Sequence, residues 1–248
     1  MSHLIPTTGP SFARLTLTGP DAEKFLQGQV TVDVADLVID QRRPTAICDL
    51  KGRVHFGLWI MRLAADSFEL IVSHDLLDAF RLHLRKYGAF SKITSSTPDD
   101  IFPCVIDGQA SFSTDASLAD PQAWQLAAIQ HGQAWITAQS QGLFQPQELR
   151  LHQRDGVDYD KGCYLGQEIV ARLYFRAKPK AWLHLIAGTG DLPQTGQSLL
   201  DGVDVVNAVA VPEGWQALVI AKPAALEGSA FAVLYLPEGL NGEVGRAV

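Results

Sequence analysis

Apolar and polar residues alternate over residues 12–18 with the period of a strand that buries one face. Gly19-Pro20-Asp21 then opens a short helix in which Ala22, Phe25 and Leu26 share a side and Gly28 closes the end. Two runs, 45–50 and 53–63, flank Lys51-Gly52 and predict a hairpin, to which 68–72 adds a strand. Over 75–87 the period becomes helical: Leu76, Leu77, Phe80, Leu84 and Tyr87 recur on one face, Ser73 stands upstream as a cap and Gly88 lies just past the end. A strand over 89–94 and a polar, turn-rich joint over 95–100 end this first α/β unit. A second unit follows, with a strand over 101–106, a helix over 121–131 closed by Gly132 and a strand over 134–137. After Pro179 the texture changes. Short apolar runs at 181–187, 203–211, 215–221 and 230–236, separated by Gly, Pro and Asp, predict a small β-barrel or sandwich. The expected class is α+β in three parts: 1–95, 96–180 and 181–248.

With 248 residues, 47% of them hydrophobic, the chain is ample for a buried core. No stretch approaches the roughly 18 uninterrupted apolar residues of a membrane span, and residues 1–10 carry neither a basic n-region nor an apolar h-region. The expectation is a cytoplasmic protein without membrane contact. A formal net charge of −7 works against binding nucleic acid directly, although Lys161, Arg172, Arg176, Lys178 and Lys180 crowd one segment. Three scattered cysteines, Cys48, Cys104 and Cys163, fit neither a disulfide framework nor a spaced metal site and read as thiols in a reducing compartment.

The candidate chemistry lies at 160–168, where Cys163 stands between Gly162 and Gly166, with Lys161 two residues before it and Glu168 five after. Glycines allow tight turns or the close approach of a ligand, and residues 167–173 can begin a helix whose N-terminus favours a nearby anion. Lys161 acts in the same direction, because the thiolate is the reactive form of cysteine. Two other readings stand beside this one. Cys163 could be a small buried hydrophobe in a shaped turn, or a hydrolase nucleophile that borrows its base from His131, His152 or His184.

The run Lys161-Gly162-Cys163-Tyr164-Leu165-Gly166-Gln167-Glu168, with Val170-Ala171-Arg172, resembles the K-G-C-Y-x-G-Q-E-x-x-A-R signature of the YgfZ family. Residues 18–33 are similar to that family's G-x-D-x-x-x-F-x-Q-G-Q-x-T-x-D stretch and residues 48–53 to its C-D-x-K-G-R turn; Lys86-Tyr87 and Phe90-Ser91-Lys92 also agree. The likeness runs from about residue 12 to 180. It implies a ring of two related α/β units and a C-terminal β-barrel, with tetrahydrofolate near a central opening. It further implies a role in maintaining iron–sulfur enzymes, including those that thiolate tRNA, with iron–sulfur proteins or their assembly factors as partners and Cys163 as the residue on which function depends.

By the same resemblance, two tryptophans that flank folate in relatives fall on Phe12 and Trp124, and Gln130 stands where a glutamate is common. Gln130 can accept a hydrogen bond through its carbonyl but carries no charge. Ala177 and Ala181 replace a usual glycine and arginine. The rival within the wider fold family is the aminomethyltransferase of glycine cleavage, which needs a carboxylate after the second strand. His55 and Phe56 occupy the matching positions here, and neither is acidic. A third reading is a scaffold that binds folate or a protein and turns nothing over.

Overall fold

A computed structural model describes residues 9–245, so most of the N-terminal stretch read above for targeting signals lies outside the described residues. The chain begins with β1 (Phe12–Thr18) and α1 (Ala22–Gln27), followed by β2 (Arg43–Cys48), β3 (Val54–Ala64) and β4 (Ser67–Ser73). Next come α2 (Leu77–Tyr87), β5 (Thr94–Ser95), β6 (Asp99–Ile106), β7 (Gln109–Ser113) and α3 (Pro121–Gln130). After a long irregular stretch, α4 (Gln167–Phe175) leads to β8 (Trp182–Gly188), β9 (Ser198–Leu200), β10 (Val203–Val211) and β11 (Gly214–Ala221); α5 (Pro223–Leu226) and β12 (Ala232–Leu234) end the series.

These elements form a mixed α/β structure with two antiparallel sheets. The first runs β2-β3-β4-β1-β6-β7, with β5 also on β1, and the second, a half-barrel, runs β12-β8-β11-β10-β9. Alternation in β11 explains how the second sheet is held: Leu218 and Ile220 join the core of the first sheet, while Ala217, Val219 and Ala221 fill a smaller core with Trp215 and Leu226. In α3, the Asp120 carboxylate accepts from the Ala123 backbone N–H and Pro121 opens the first turn, the start that residue types at 120–121 favour.

Three local expectations are corrected: the strand over 89–94, the strand over 134–137 and the cap at Ser73. Residues 89–93 turn back without a strand, and only Thr94–Ser95 pairs with β1. The strands on either side of the expected joint at 95–100 share one sheet, because β6 pairs with β1. Residues 134–137 are irregular, since side chains take the place of a strand partner: the Asn207 amide brackets Trp135, accepting from its N–H and donating to its carbonyl, each at 3.0 Å, and Ser73 Oγ donates to the Ile136 carbonyl at 2.6 Å. That last bond also means that Ser73 does not cap α2, although Gly88 ends it as expected. Strands β7 and β9 were not legible: the first is a short half-exposed return and the second has three residues.

Candidate functional site

The three segments that carry the resemblance meet at one place. The chain from 156 to 165 is strapped along residues 27–33: Thr31 Oγ1 donates to the Gly156 carbonyl at 2.6 Å, the Asp158 carboxylate accepts from the Asp33 N–H at 2.6 Å, and the Leu165 N–H reaches the Gly28 carbonyl at 3.3 Å. Arg43 adds an ion pair to Asp158 at 3.0 Å. On the other side, Gly166 lies against the 48–53 turn. Its φ of +80° suits glycine, and a Cβ there would overlap the Asp49 carbonyl oxygen. The turn answers with Gly52, at φ +70°, where a Cβ would come within 2.8 Å of Ile169. Asp49 fixes the turn by accepting from the N–H groups of Lys51 and Arg53. The glycines thus serve a close crossing between two backbones.

Lys161 takes a structural part in the loop. It is 7% exposed, and its ammonium donates to the carbonyls of Gln27 at 2.9 Å, Val30 at 2.6 Å and Val32 at 2.7 Å. All three protons are thereby used, and the first of these carbonyls belongs to the last residue of α1, where helix carbonyls lack partners. Burial brings its pKa down to about 8, against the opposing pull of Asp33 and Asp158. Lys161 is therefore a positioning residue that pins the loop.

Cys163 is exposed, whereas Cys48 and Cys104 are buried. Burial, with Asp49 adding to it, pushes the Cys48 thiol up, and burial also raises Cys104 despite Arg42. Gly162 beside Cys163 has open space where a side chain would stand. Tyr164 turns inward, its hydroxyl pushed up by burial and by Cys48. Gln167 and Glu168 open α4, the first reaching the Lys161 carbonyl at 3.5 Å and the second exposed; Arg172 is exposed in the last turn. The candidate bases lie elsewhere: His131 is held by Ala127 and Gln109, and His152 and His184 have Arg150 as their charged neighbour. Among the described residues, no three His, Cys, Asp or Glu side chains gather as metal ligands.

Two hollows touch the ends of this loop. One, of about 390 Å³, includes Asp160 and Lys161 with Asp33, Asp36 and Asp158. The other, a cleft of about 450 Å³, lies between α2 and the 48–51 turn and includes Leu165, Lys51, His55, Phe56, His83 and Tyr87. In the cleft, the His83 and Tyr87 rings lie 4.4 Å apart at 32°, with Phe56 edge-on to His83 at 5.4 Å. Burial lowers His83 to a pKa of about 4, helped by His55 and Lys86, and its Nε2 lies 2.8 Å from Gln29 Oε1. These α2 residues were missed as a site. Their signal was a second helical face, Ala79, Leu82, His83 and Lys86, distinct from the core face of Phe80 and Leu84.

The residues matched to folate are placed differently from the expectation. Trp124 is 0% exposed and Phe12 3%, and each ring is covered by the other at 4.8 Å and by Phe112 and Trp59; Trp135 covers Trp124 as well. The hollow walled by Trp59 and Trp135 holds about 30 Å³, room for a water or two. A pterin does not fit there, so stacking on Phe12 and Trp124 is corrected to core packing. Gln130 is exposed and reaches Gln216 of the second sheet at 3.4 Å.

Known proteins resemble this chain in sequence and in fold. The tRNA-modifying protein YgfZ of Cronobacter sakazakii is 32% identical over a match covering 76% of this chain and 73% of that protein. The protein of the same name from Escherichia fergusonii is 31% identical over the same shares. No protein-family model matches the chain. In fold, the crystal structure of glycine cleavage system aminomethyltransferase T from Bartonella henselae superposes with a TM-score of 0.69 at 14% identity, over 94% of this chain and 87% of that one.

Proposed function

The chain belongs to the YgfZ family, and from that membership we propose that it is an accessory protein of tRNA modification, acting through Cys163 in the assembly or repair of iron–sulfur enzymes. One observation carries the reading: of three thiols, the one in the signature loop is exposed, and the loop beneath it is fixed by Lys161 and by the crossing of Gly166 over Asp49. A thiol held on a rigid support is positioned for a partner at little entropic cost. Its partners in this reading are iron–sulfur proteins or their assembly factors. No helix among the described residues is long and apolar enough to cross a membrane.

Tetrahydrofolate belongs to the proposal as the ligand that family membership suggests, bound at a place other than Trp124. The proposal also carries the architecture implied by the resemblance: units 1–95, 96–180 and 181–248 arranged as a ring. The decisive experiment is complementation. In a strain lacking the gene, Cys163→Ser is expected to leave iron–sulfur enzyme activity and tRNA thiolation unrestored, at wild-type protein levels. Full rescue by the serine variant would remove the thiol from the function.

A further inference from the structure

We propose that the hollow between β8 and the 233–243 segment is a small-molecule site, and that it binds a small carboxylate with an apolar body at Arg150. Its lining shares no residue with either hollow at the Cys163 loop, so the inference stands apart from the function proposed above.

Arg150 is a buried cation without a counter-ion. It is 2% exposed, and its guanidinium donates only to neutral acceptors: the carbonyls of Leu183 at 2.9 Å and Gly242 at 2.8 Å, and Gln153 Oε1 at 2.9 Å. A guanidinium carries further N–H groups beyond those three. Among the described residues, no carboxylate stands within ion-pair distance of it. Glu243 lines the hollow but is exposed and turns to Lys178, at 2.5 Å. Taking a charge out of water is costly unless an opposite charge meets it. The unneutralised charge also reaches two histidines: burial, and after it Arg150, lowers His152 and His184 to about 4. The backbone at Arg150 is held at φ +56°, a left-handed conformation that a residue with a side chain rarely adopts.

The surroundings select the rest of the ligand. The hollow holds about 300 Å³, enough for a small organic molecule, and Leu185, Leu234, Leu236 and Leu240 give it apolar walls. Trp182 and His184 also line it, with their rings stacked at 5.9 Å and 28°. Trp182 is 7% exposed and its Nε1, a donor, has no hydrogen-bond partner among the described residues; the same holds for His184 Nε2. A carboxylate supplies the missing negative charge and several acceptor sites, while an apolar body covers the leucines. A dianion is disfavoured, because a single cation in apolar walls leaves its second charge unpaired.

The test is an NMR titration of the full chain with phenylacetate, followed at the tryptophan indole N–H signals. The Trp182 signal, assigned through Trp182→Phe, is expected to shift saturably while that of Trp124 stays in place. 2-Phenylethanol, which has the body without the charge, and inorganic phosphate, which has charge without the body, are expected to bind at least tenfold more weakly. Arg150→Met is expected to lose at least tenfold in phenylacetate affinity. Because that variant also gives up three hydrogen bonds, Val233→Trp, which fills the hollow from a half-exposed position, serves as a second variant with the same expected loss. Circular dichroism checks that each is folded. Absence of a saturable shift at Trp182 in the wild type overturns the proposal, and so does wild-type affinity in Val233→Trp. Equal binding of either control compound overturns the ligand class.

Discussion

The centre around Trp124 and the loop around Cys163 are held by opposite means. At the centre, five aromatic rings cover one another with centroids 4.8–6.1 Å apart, and the stabilising term is apolar area withdrawn from water. In the loop, few apolar groups are available, and the backbone is fixed by a buried ammonium, a carboxylate and two glycines at positive φ. The first arrangement withdraws Trp124 from solvent completely, including its Nε1, which has no hydrogen-bond partner among the described residues. The second leaves a thiol at the surface with a firm base. A ligand needs access, so the polar scaffold is where chemistry can occur, and the aromatic centre serves stability.

Substitutions test that contrast by the size of their effects. Trp124→Ala should be the most damaging, because it opens a cavity in a fully packed core; about 3–5 kcal/mol is expected in a denaturant titration. A loss below about 1 kcal/mol would mean that the centre is loosely packed and open to a ligand. Gly166→Ala should cost about 1–2 kcal/mol from its positive φ alone. Its overlap with the Asp49 carbonyl adds to this, and hydrogen exchange should rise in 48–53 and 161–170 together. Exchange that rises in only one of these segments would show that the crossing does not couple them. The smallest effect belongs to Cys163→Ser, within about 0.5 kcal/mol of wild type. An aromatic disulfide reagent should titrate one thiol in the native protein and none in that variant. Rapid reaction of Cys48 or Cys104 would contradict their burial.

Much of the fold was legible because a period records one buried face. β1 has the bounds that alternation predicts and β10 those of its apolar run, and α2 and α3 lie within a residue or two of their expected spans. The exceptions have a common cause. Residues 134–137 carry an apolar run but no strand, because Asn207 and Ser73, both more than 60 residues away, satisfy their backbone. The signature loop was likewise legible as a place but not as an arrangement: its residue types marked Cys163, yet its lysine turned out to serve the end of a helix.

The sequence by itself determined the strands and helices whose faces are periodic, the glycines that let two turns cross, and the cysteine between them, since each depends on residues near in the chain. Only the tertiary structure decided what those groups face. Lys161 finds Gln27 across 134 residues, Trp124 is sealed by rings from β1, β3 and β7, and the cleft forms where α2 passes the 48–51 turn. Exposure and the direction of a charge are properties of the assembled surfaces, and local periodicity carries no information about which distant surface arrives.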